Sequence, residues 1–165
     1  DSATAGGAEG LVALAGARAA AEGKPLDEVL AGAERVCERV HFLGVLETLH
    51  YVWKGGHIPR VALWASTLLD IKPVLDIWRG EVRLVARPRT KAKGIERMLA
   101  TMAEQVSGGP LHVVAMHADA PDEAEGLLRQ VQARFTCAEA LVVPFTPVIG
   151  AHTGPGLLAV AFYEE

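Results

Sequence analysis

Apolar and polar residues follow one another along this chain at two different spacings, and these spacings predict its helices and strands. Over residues 8–22, apolar residues recur at steps of three and four, which predicts a helix that ends at Gly23. Pro25 suits the first turn of a second helix that runs to about Val40. Short apolar runs predict strands. The predicted strands cover 41–46, 71–78, 81–87, 111–117, 138–143 and 157–163, and the further predicted helices cover 47–54, 60–69, 91–106 and 121–135.

The order of these elements predicts an α/β fold with a mixed sheet of about six strands covered by helices. Most of the predicted helices connect one strand to the next. Arg79 and Gly80 join two neighbouring strands, which predicts a hairpin and therefore an antiparallel pair. The chain has 165 residues and shows no repeat or long linker, so we expect a single domain over residues 1–165.

Composition narrows the classes of protein. Hydrophobic residues make up 50% of the chain and aromatic residues only 5%, so the predicted core is aliphatic. The net charge of −4 argues against a nucleic-acid-binding protein with a broad basic face. No apolar run approaches the ~20 residues of a membrane span. Cys37 and Cys137 match no metal-ligand spacing and read as reduced thiols, which favours a cytoplasmic location.

The stretch 149–156 carries the most suggestive chemistry. It places His152 and Thr153 among three glycines and a proline, directly before the last predicted strand. Backbone N–H groups of such a turn form a concave anion site in some proteins, with the histidine as a further donor. The alternative is a tight turn with an exposed histidine, and the spacing alone leaves both interpretations open.

A basic segment follows the predicted hairpin. It contains Arg87, Arg89, Lys91, Lys93 and Arg97. One interpretation is a solvated surface. The other is a site for an anion or an acidic partner, because the two lysines lie in the first turn of a predicted helix, where positive charge opposes the helix dipole.

Motifs of catalysis and metal binding are missing from the sequence. There is no P-loop and no Gly-x-Ser-x-Gly motif, and the six histidines show no metal-ligand spacing. We therefore expect no catalytic centre, no metal site and no cofactor.

Four segments occur in one order and together resemble the DegV family of bacterial fatty-acid-binding proteins. They are Lys-Gly-Gly-His-Ile (54–58), Leu-Leu-Asp-Ile-Lys-Pro-Val-Leu (68–75), Arg-Pro-Arg-Thr (87–90) and Ile-Gly-Ala-His-Thr-Gly-Pro-Gly (149–156). The resemblance runs over the whole chain. It implies the C-terminal domain of a two-domain protein, with a two-layer mixed sheet of six strands, and an N-terminal α/β domain that is absent from this chain.

The resemblance also implies a function. It implies a protein that binds a long-chain fatty acid in an apolar pocket and presents the carboxylate to a partner fatty acid kinase, without being an enzyme itself. The implied head-group residues are His152, Thr153, Gly154 and His57. Residues suggested for the acyl chain are Phe42, Leu46, Ile58, Leu63, Leu68 and Ile71. The implied surface for the kinase carries Arg89 and Arg60.

The sequence departs from the family pattern at one position, and it leaves open one alternative function and the question of assembly. His57 stands where the family usually has arginine, and imidazole offers no bidentate fork to a carboxylate. The alternative function is the substrate-binding subunit of a dihydroxyacetone-kinase-like system, in which His152 holds a small metabolite. A further expectation concerns assembly: a chain without its companion domain exposes an apolar face, which favours that N-terminal domain or a homodimer partner as its cover.

Overall fold

The computed structural model describes residues 1–55 and 71–165. Within these residues the chain forms six helices and six strands. In chain order they are α1 (Gly7–Ala21), α2 (Leu26–Arg39), β1 (His41–Val45), α3 (His50–Gly55), β2 (Val74–Trp78), β3 (Glu81–Ala86), α4 (Lys91–Glu104), β4 (Leu111–His117), α5 (Pro121–Gln132), β5 (Cys137–Pro144), α6 (Pro147–Thr153) and β6 (Leu158–Glu164). No helix in the described ranges is both long enough and apolar enough to cross a membrane.

The strands form one mixed sheet in the order β3-β2-β1-β6-β4-β5. Only β4 and β5 are parallel, and each other neighbouring pair is antiparallel. The predicted α/β class and mixed sheet are confirmed. So is the hairpin of β2 and β3, which turns at Arg79 and Gly80 with φ angles of 49° and 78°.

The central strand β6 shows how the two faces of the sheet differ. Leu158, Val160 and Phe162 point to a core formed with α4 and α5. Ala159 and Ala161 point to the opposite core, formed with α1 and α2. Because side chains alternate along a strand, this sequence separates large from small residues face by face. We call these the large-residue face and the small-residue face.

Helices lie against both faces. Met98 and Met102 of α4 and Leu127 of α5 are buried on the large-residue face. Ala8 and Leu11 of α1 are buried on the small-residue face. The resemblance implies two layers, whereas the structure has a helical layer on each side of the sheet. At the start of α4 the Thr90 side chain accepts a hydrogen bond from the Lys93 N–H at 3.3 Å, as the predicted cap requires.

The stretch predicted as a glycine-rich turn contains a helix instead. Residues Pro147–Thr153 form α6, with Pro147 in its first turn, where a missing N–H costs nothing. Gly150 does not interrupt this helix, and the chain leaves it only at Gly154, with φ at 78°. Glycine favours turns over helix interiors, so the local pattern does not reveal a helix that continues through Gly150. The helix predicted over 60–69 lies outside the described residues.

Candidate functional site

A cavity of about 260 Å³ lies on the small-residue face, where β1, β2 and β3 meet α6 and the end of α3. Its walls are almost entirely apolar. The described residues that line it are Ala5, Phe42, Gly44, Leu46, Val52, Leu75, Ile77, Val82, Phe145, Ile149, His152, Thr153 and Leu157. An apolar hollow with two polar side chains is typical of a site for a largely apolar ligand.

Gly44 forms part of the floor of this cavity. It lies within β1, one residue before the end of the strand, and glycine is unfavourable within a strand. A Cβ atom placed there would lie 3.3 Å from Ala159 Cβ and 3.5 Å from the Leu158 carbonyl oxygen. Strands β1 and β6 therefore pack closely at Gly44, and glycine adds no side chain at this point of the cavity wall.

Helix α6 brings the two polar residues to the cavity wall. Ile149, His152 and Thr153 lie three and four residues apart, so they share one face of the helix. All three line the cavity, and both polar residues are half-buried. The Thr153 hydroxyl donates to the Ile149 carbonyl oxygen at 2.8 Å, so its hydrogen is already used within the helix.

The backbone after α6 does not form the predicted anion site. The Gly154 N–H donates to the Gly150 oxygen at 2.8 Å, and the Gly156 N–H donates to the Ala118 oxygen at 2.7 Å. The expectation that these two amides receive an anion is therefore wrong. Glycine is needed at 154 for another reason: a Cβ atom there would overlap the ring of Tyr51.

The structure describes three of the six residues that were predicted to contact the acyl chain. Phe42 and Leu46 line the cavity. Ile71 packs beside the cavity, against the hydrophobic cluster that contains Leu46 and Leu157. Ile58, Leu63, Leu68, and the head-group and surface residues His57 and Arg60, lie outside the described residues.

Sequence reasoning missed most of the other lining residues. Leu75 and Ile77 alternate along β2, and Val82 lies opposite on β3. Their alternation was visible, but it does not reveal which face borders a cavity. Ile149 was missed because α6 was not predicted, and Phe145 was missed because it lies in the short connection between β5 and α6.

Two of the five residues in the basic segment form ion pairs with acidic side chains. Lys91 Nζ lies 2.7 Å from Glu123 Oε2 of α5, and Arg97 lies 3.3 Å from Glu104. The neighbouring acid explains a lysine at the start of α4. Arg89 and Lys93 are exposed. Lys91 Nζ also approaches Gly156, so the first turn of α4 lies beside the turn that follows α6.

A charged network lies away from the cavity and involves His112. Its Nδ1 and Nε2 atoms lie 3.1 Å from Glu139 and from Glu165 respectively. Arg18 bonds Glu139 at 2.6 Å, and this hydrogen bond, followed by that of His112, lowers the pKa of Glu139. In the part of the chain that the structure describes, no group of three acidic, histidine or cysteine residues is placed to hold a metal ion.

Comparison with known proteins finds matches that share one family description. A family model described as "Uncharacterised protein, DegV family" matches residues 1–165. A DegV domain-containing protein of Clostridium acetobutylicum is 33% identical over 157 residues, covering 94% of this chain and 55% of the relative. One from Streptomyces coelicolor is 34% identical, covering 92% of this chain and 54% of the relative. The chain thus spans about half the length of these curated relatives.

Solved structures agree with this match. A DegV family protein of Thermus thermophilus, described by its fatty acid binding, has a TM-score of 0.92 and 28% identity, covering 100% of this chain and 60% of that chain. A Thermotoga maritima protein, described as revealing a fatty acid binding function, has a TM-score of 0.87 and 26% identity, covering 100% of this chain and 58% of that chain.

Proposed function

This chain belongs to the DegV family, and from that premise we propose that it binds a long-chain fatty acid, with the acyl chain in the apolar cavity and the carboxylate beside His152. The observation that carries the proposal is the lining of the cavity. Eleven of the thirteen described lining residues are apolar or glycine, and the two polar ones, His152 and Thr153, are neighbours at one end of α6.

The lining of the cavity supports one of the two candidate functions over the other. A small hydroxylated metabolite needs a polar cup, because each buried hydroxyl without a partner costs free energy. An acyl chain instead gains about 0.8 kcal/mol for each buried methylene. The apolar walls therefore favour the lipid over the dihydroxyacetone-kinase-like alternative.

The carboxylate requires a partner, since an unpaired buried charge is expensive. We assign this role to His152, whose side chain reaches the cavity wall. Thr153 and Gly154 support this role less directly. The Thr153 hydroxyl donates a hydrogen bond to the Ile149 carbonyl oxygen, and Gly154 allows the chain to turn beside the Tyr51 ring. By its resemblance, His57 is proposed as a second donor to the head group.

The proposal extends to a carrier role, in which a partner fatty acid kinase acts on the bound carboxylate. Arg89 supports it, because its side chain is exposed and it lies two residues before Lys91, whose Nζ atom approaches Gly156 in the turn that follows α6. By resemblance, Arg60 is proposed as a second residue of this surface. The curated relatives are about twice as long as this chain, so a further domain is proposed to cover the cavity and complete the head-group site.

Native mass spectrometry of the full-length gene product tests lipid binding. We expect a co-purifying long-chain acid, released by solvent extraction, and a rise in melting temperature when the acid is returned. Protein that carries no lipid and shows no thermal shift with any fatty acid would contradict the proposal.

His152→Ala tests the head-group assignment. A hydrogen bond to a charged group contributes about 1.5–3 kcal/mol, so we expect the fatty acid to bind roughly ten- to a hundredfold more weakly. The methyl ester of the same acid is the matched control, because it keeps the tail and loses the charge. Equal losses for acid and ester would remove His152 from the carboxylate site.

Arg89→Ala tests the partner surface. We expect the variant to bind fatty acid as the parent does but to support a lower rate of acyl phosphorylation when the cognate kinase is added. The same substitution at Lys93, which is also exposed on this segment, is the matched control. A kinase rate unchanged by Arg89→Ala would exclude this surface.

A further inference from the structure

Two cavities on the small-residue face adjoin one another and share three lining residues. Besides the cavity already described, a groove of about 480 Å³ runs between the start of α1, strands β4 and β5, and the start of α6. Ala5, Phe145 and Ile149 line both spaces. Phe145 is the largest of the three, so its ring forms most of the wall between them.

The Phe145 ring is held on both sides. A Cβ atom built on Gly6 would lie 2.7 Å from its Cε1 atom, so the ring packs directly on backbone at the start of α1. On the cavity side the ring is tilted against Phe42, with centroids 6.3 Å apart. The Phe145 N–H donates to the His117 oxygen at 2.8 Å, which ties its backbone to the end of β4. The ring therefore packs between the start of α1 and Phe42 and separates the two spaces.

The groove beyond the ring is suited to the same kind of ligand as the cavity. Val114 and Met116 of β4 form its floor, and Leu141 and Val148 are 38% and 66% exposed at its rim. Apolar side chains in an open groove gain when a hydrocarbon chain covers them. The ring thus separates two apolar spaces of similar chemistry.

We infer that Phe145 limits the length of the acyl chain that this protein accepts, an inference that rests on the proposed function. Helix α6 separates Phe145 from His152. Phe145 lies two residues before its first residue, Pro147, and His152 lies in its last turn, about 7.5 Å along the helix from Pro147 at ~1.5 Å per residue. A tail that begins at His152 and follows α6 meets the Phe145 ring. Removing the ring joins the cavity to the groove and lengthens the apolar path.

The test measures dissociation constants for a series of saturated fatty acids, from twelve to twenty-two carbons, on the full-length gene product. With Phe145→Ala we expect the preferred length to increase. Affinity should rise about fourfold for each methylene that enters the groove, while the shortest acids bind no better. Phe145→Leu should shift the preference in the same direction by less, and it decides the matter if the alanine variant does not fold.

Phe135→Ala is the matched control. Phe135 is also partly buried, but it packs on the large-residue face. We expect this variant to lose stability and to keep the parental length preference. Unchanged preference in both Phe145 variants would overturn the inference, and so would an equal shift in Phe135→Ala. If the parent protein binds no fatty acid of any length, the proposed function fails and the inference fails with it.

Discussion

The two faces of the sheet use the same strands for opposite purposes. Along β6, leucine, valine and phenylalanine fill the large-residue face, whereas Ala159 and Ala161 leave the small-residue face shallow. Along β1, Leu43 and Val45 face α4, and Gly44 forms the floor of a cavity. A ligand site in a close-packed domain requires that some central positions be small, because otherwise side chains fill the space.

The difference shows how this domain combines stability with binding. The large-residue face supplies a continuous core of fully buried methionine, leucine and phenylalanine side chains. The small-residue face holds fewer large side chains at its centre and borders two apolar spaces. We therefore expect substitutions on the first face to change stability, and substitutions on the second to change ligand preference.

The largest expected effect comes from two adjacent leucines that point to opposite faces. Leu158 packs between α4 and α5, and Leu157 lines the cavity. Leu158→Ala should lower the free energy of unfolding by about 4 kcal/mol, because it opens a new cavity in a full core. Leu157→Ala should cost only about 2 kcal/mol, because its neighbours already border open space. Urea denaturation measures both, and equal losses would refute the contrast between the faces.

A smaller effect is expected at the end of α6. Gly154→Ala should cost about 1–3 kcal/mol, since φ of 78° with ψ of 171° is a region open essentially only to glycine, and the added Cβ overlaps Tyr51. Gly150→Ala is the control within the same helix. It has open space around it and should raise stability by roughly 0.5–1 kcal/mol. Thermal melting of the two variants should therefore shift in opposite directions.

The smallest expected effect is a dependence of stability on pH, and it arises on the large-residue face. His41 stacks between Trp78 and Phe162, and burial lowers its pKa. The unfolded chain therefore binds a proton at a higher pH than the fold does, and stability should fall as pH is lowered from about 6.5 through the folded pKa. Burial raises the pKa of Asp76 on the neighbouring strand, which gives the opposite sign.

The variant His41→Phe isolates the histidine contribution from that of Asp76. We expect its melting temperature to fall less than that of the parent between neutral and mildly acidic pH. Parallel melting curves for the two proteins across this range would show that His41 is not the source of the pH dependence.

The local pattern of apolar and polar residues was sufficient to predict most of the helices and strands. Apolar runs located β4 at 111–117 to the residue, and Thr90 marked the start of α4. It failed at α6, where Gly150 reads as a turn residue although the helix continues through it. A glycine within a short helix costs only about 1 kcal/mol relative to alanine, so packing against α3 is enough to override it.

The candidate site was less accessible from sequence. The glycines and His152 indicated the segment that contains α6. Phe42 and Leu46 were predicted to contact the acyl chain, and both line the cavity. The roles within the site came from contacts between residues distant in sequence: Tyr51 against Gly154, and Ala118 accepting the Gly156 N–H. Because of these contacts, the segment forms a packed helix end and not the anion-binding turn that the sequence suggested.

The sequence by itself determined the order and type of most elements, the alternation of large and small residues along β6, and the family to which the chain belongs. These properties depend on spacing within a few residues of one another. Only the tertiary structure decided that β6 lies between β1 and β4, that the small-residue face borders the cavity, and that Phe145 divides it from a second groove. Strand alternation fixes which residues share a face, but the pairing of strands far apart in the chain decides what that face meets.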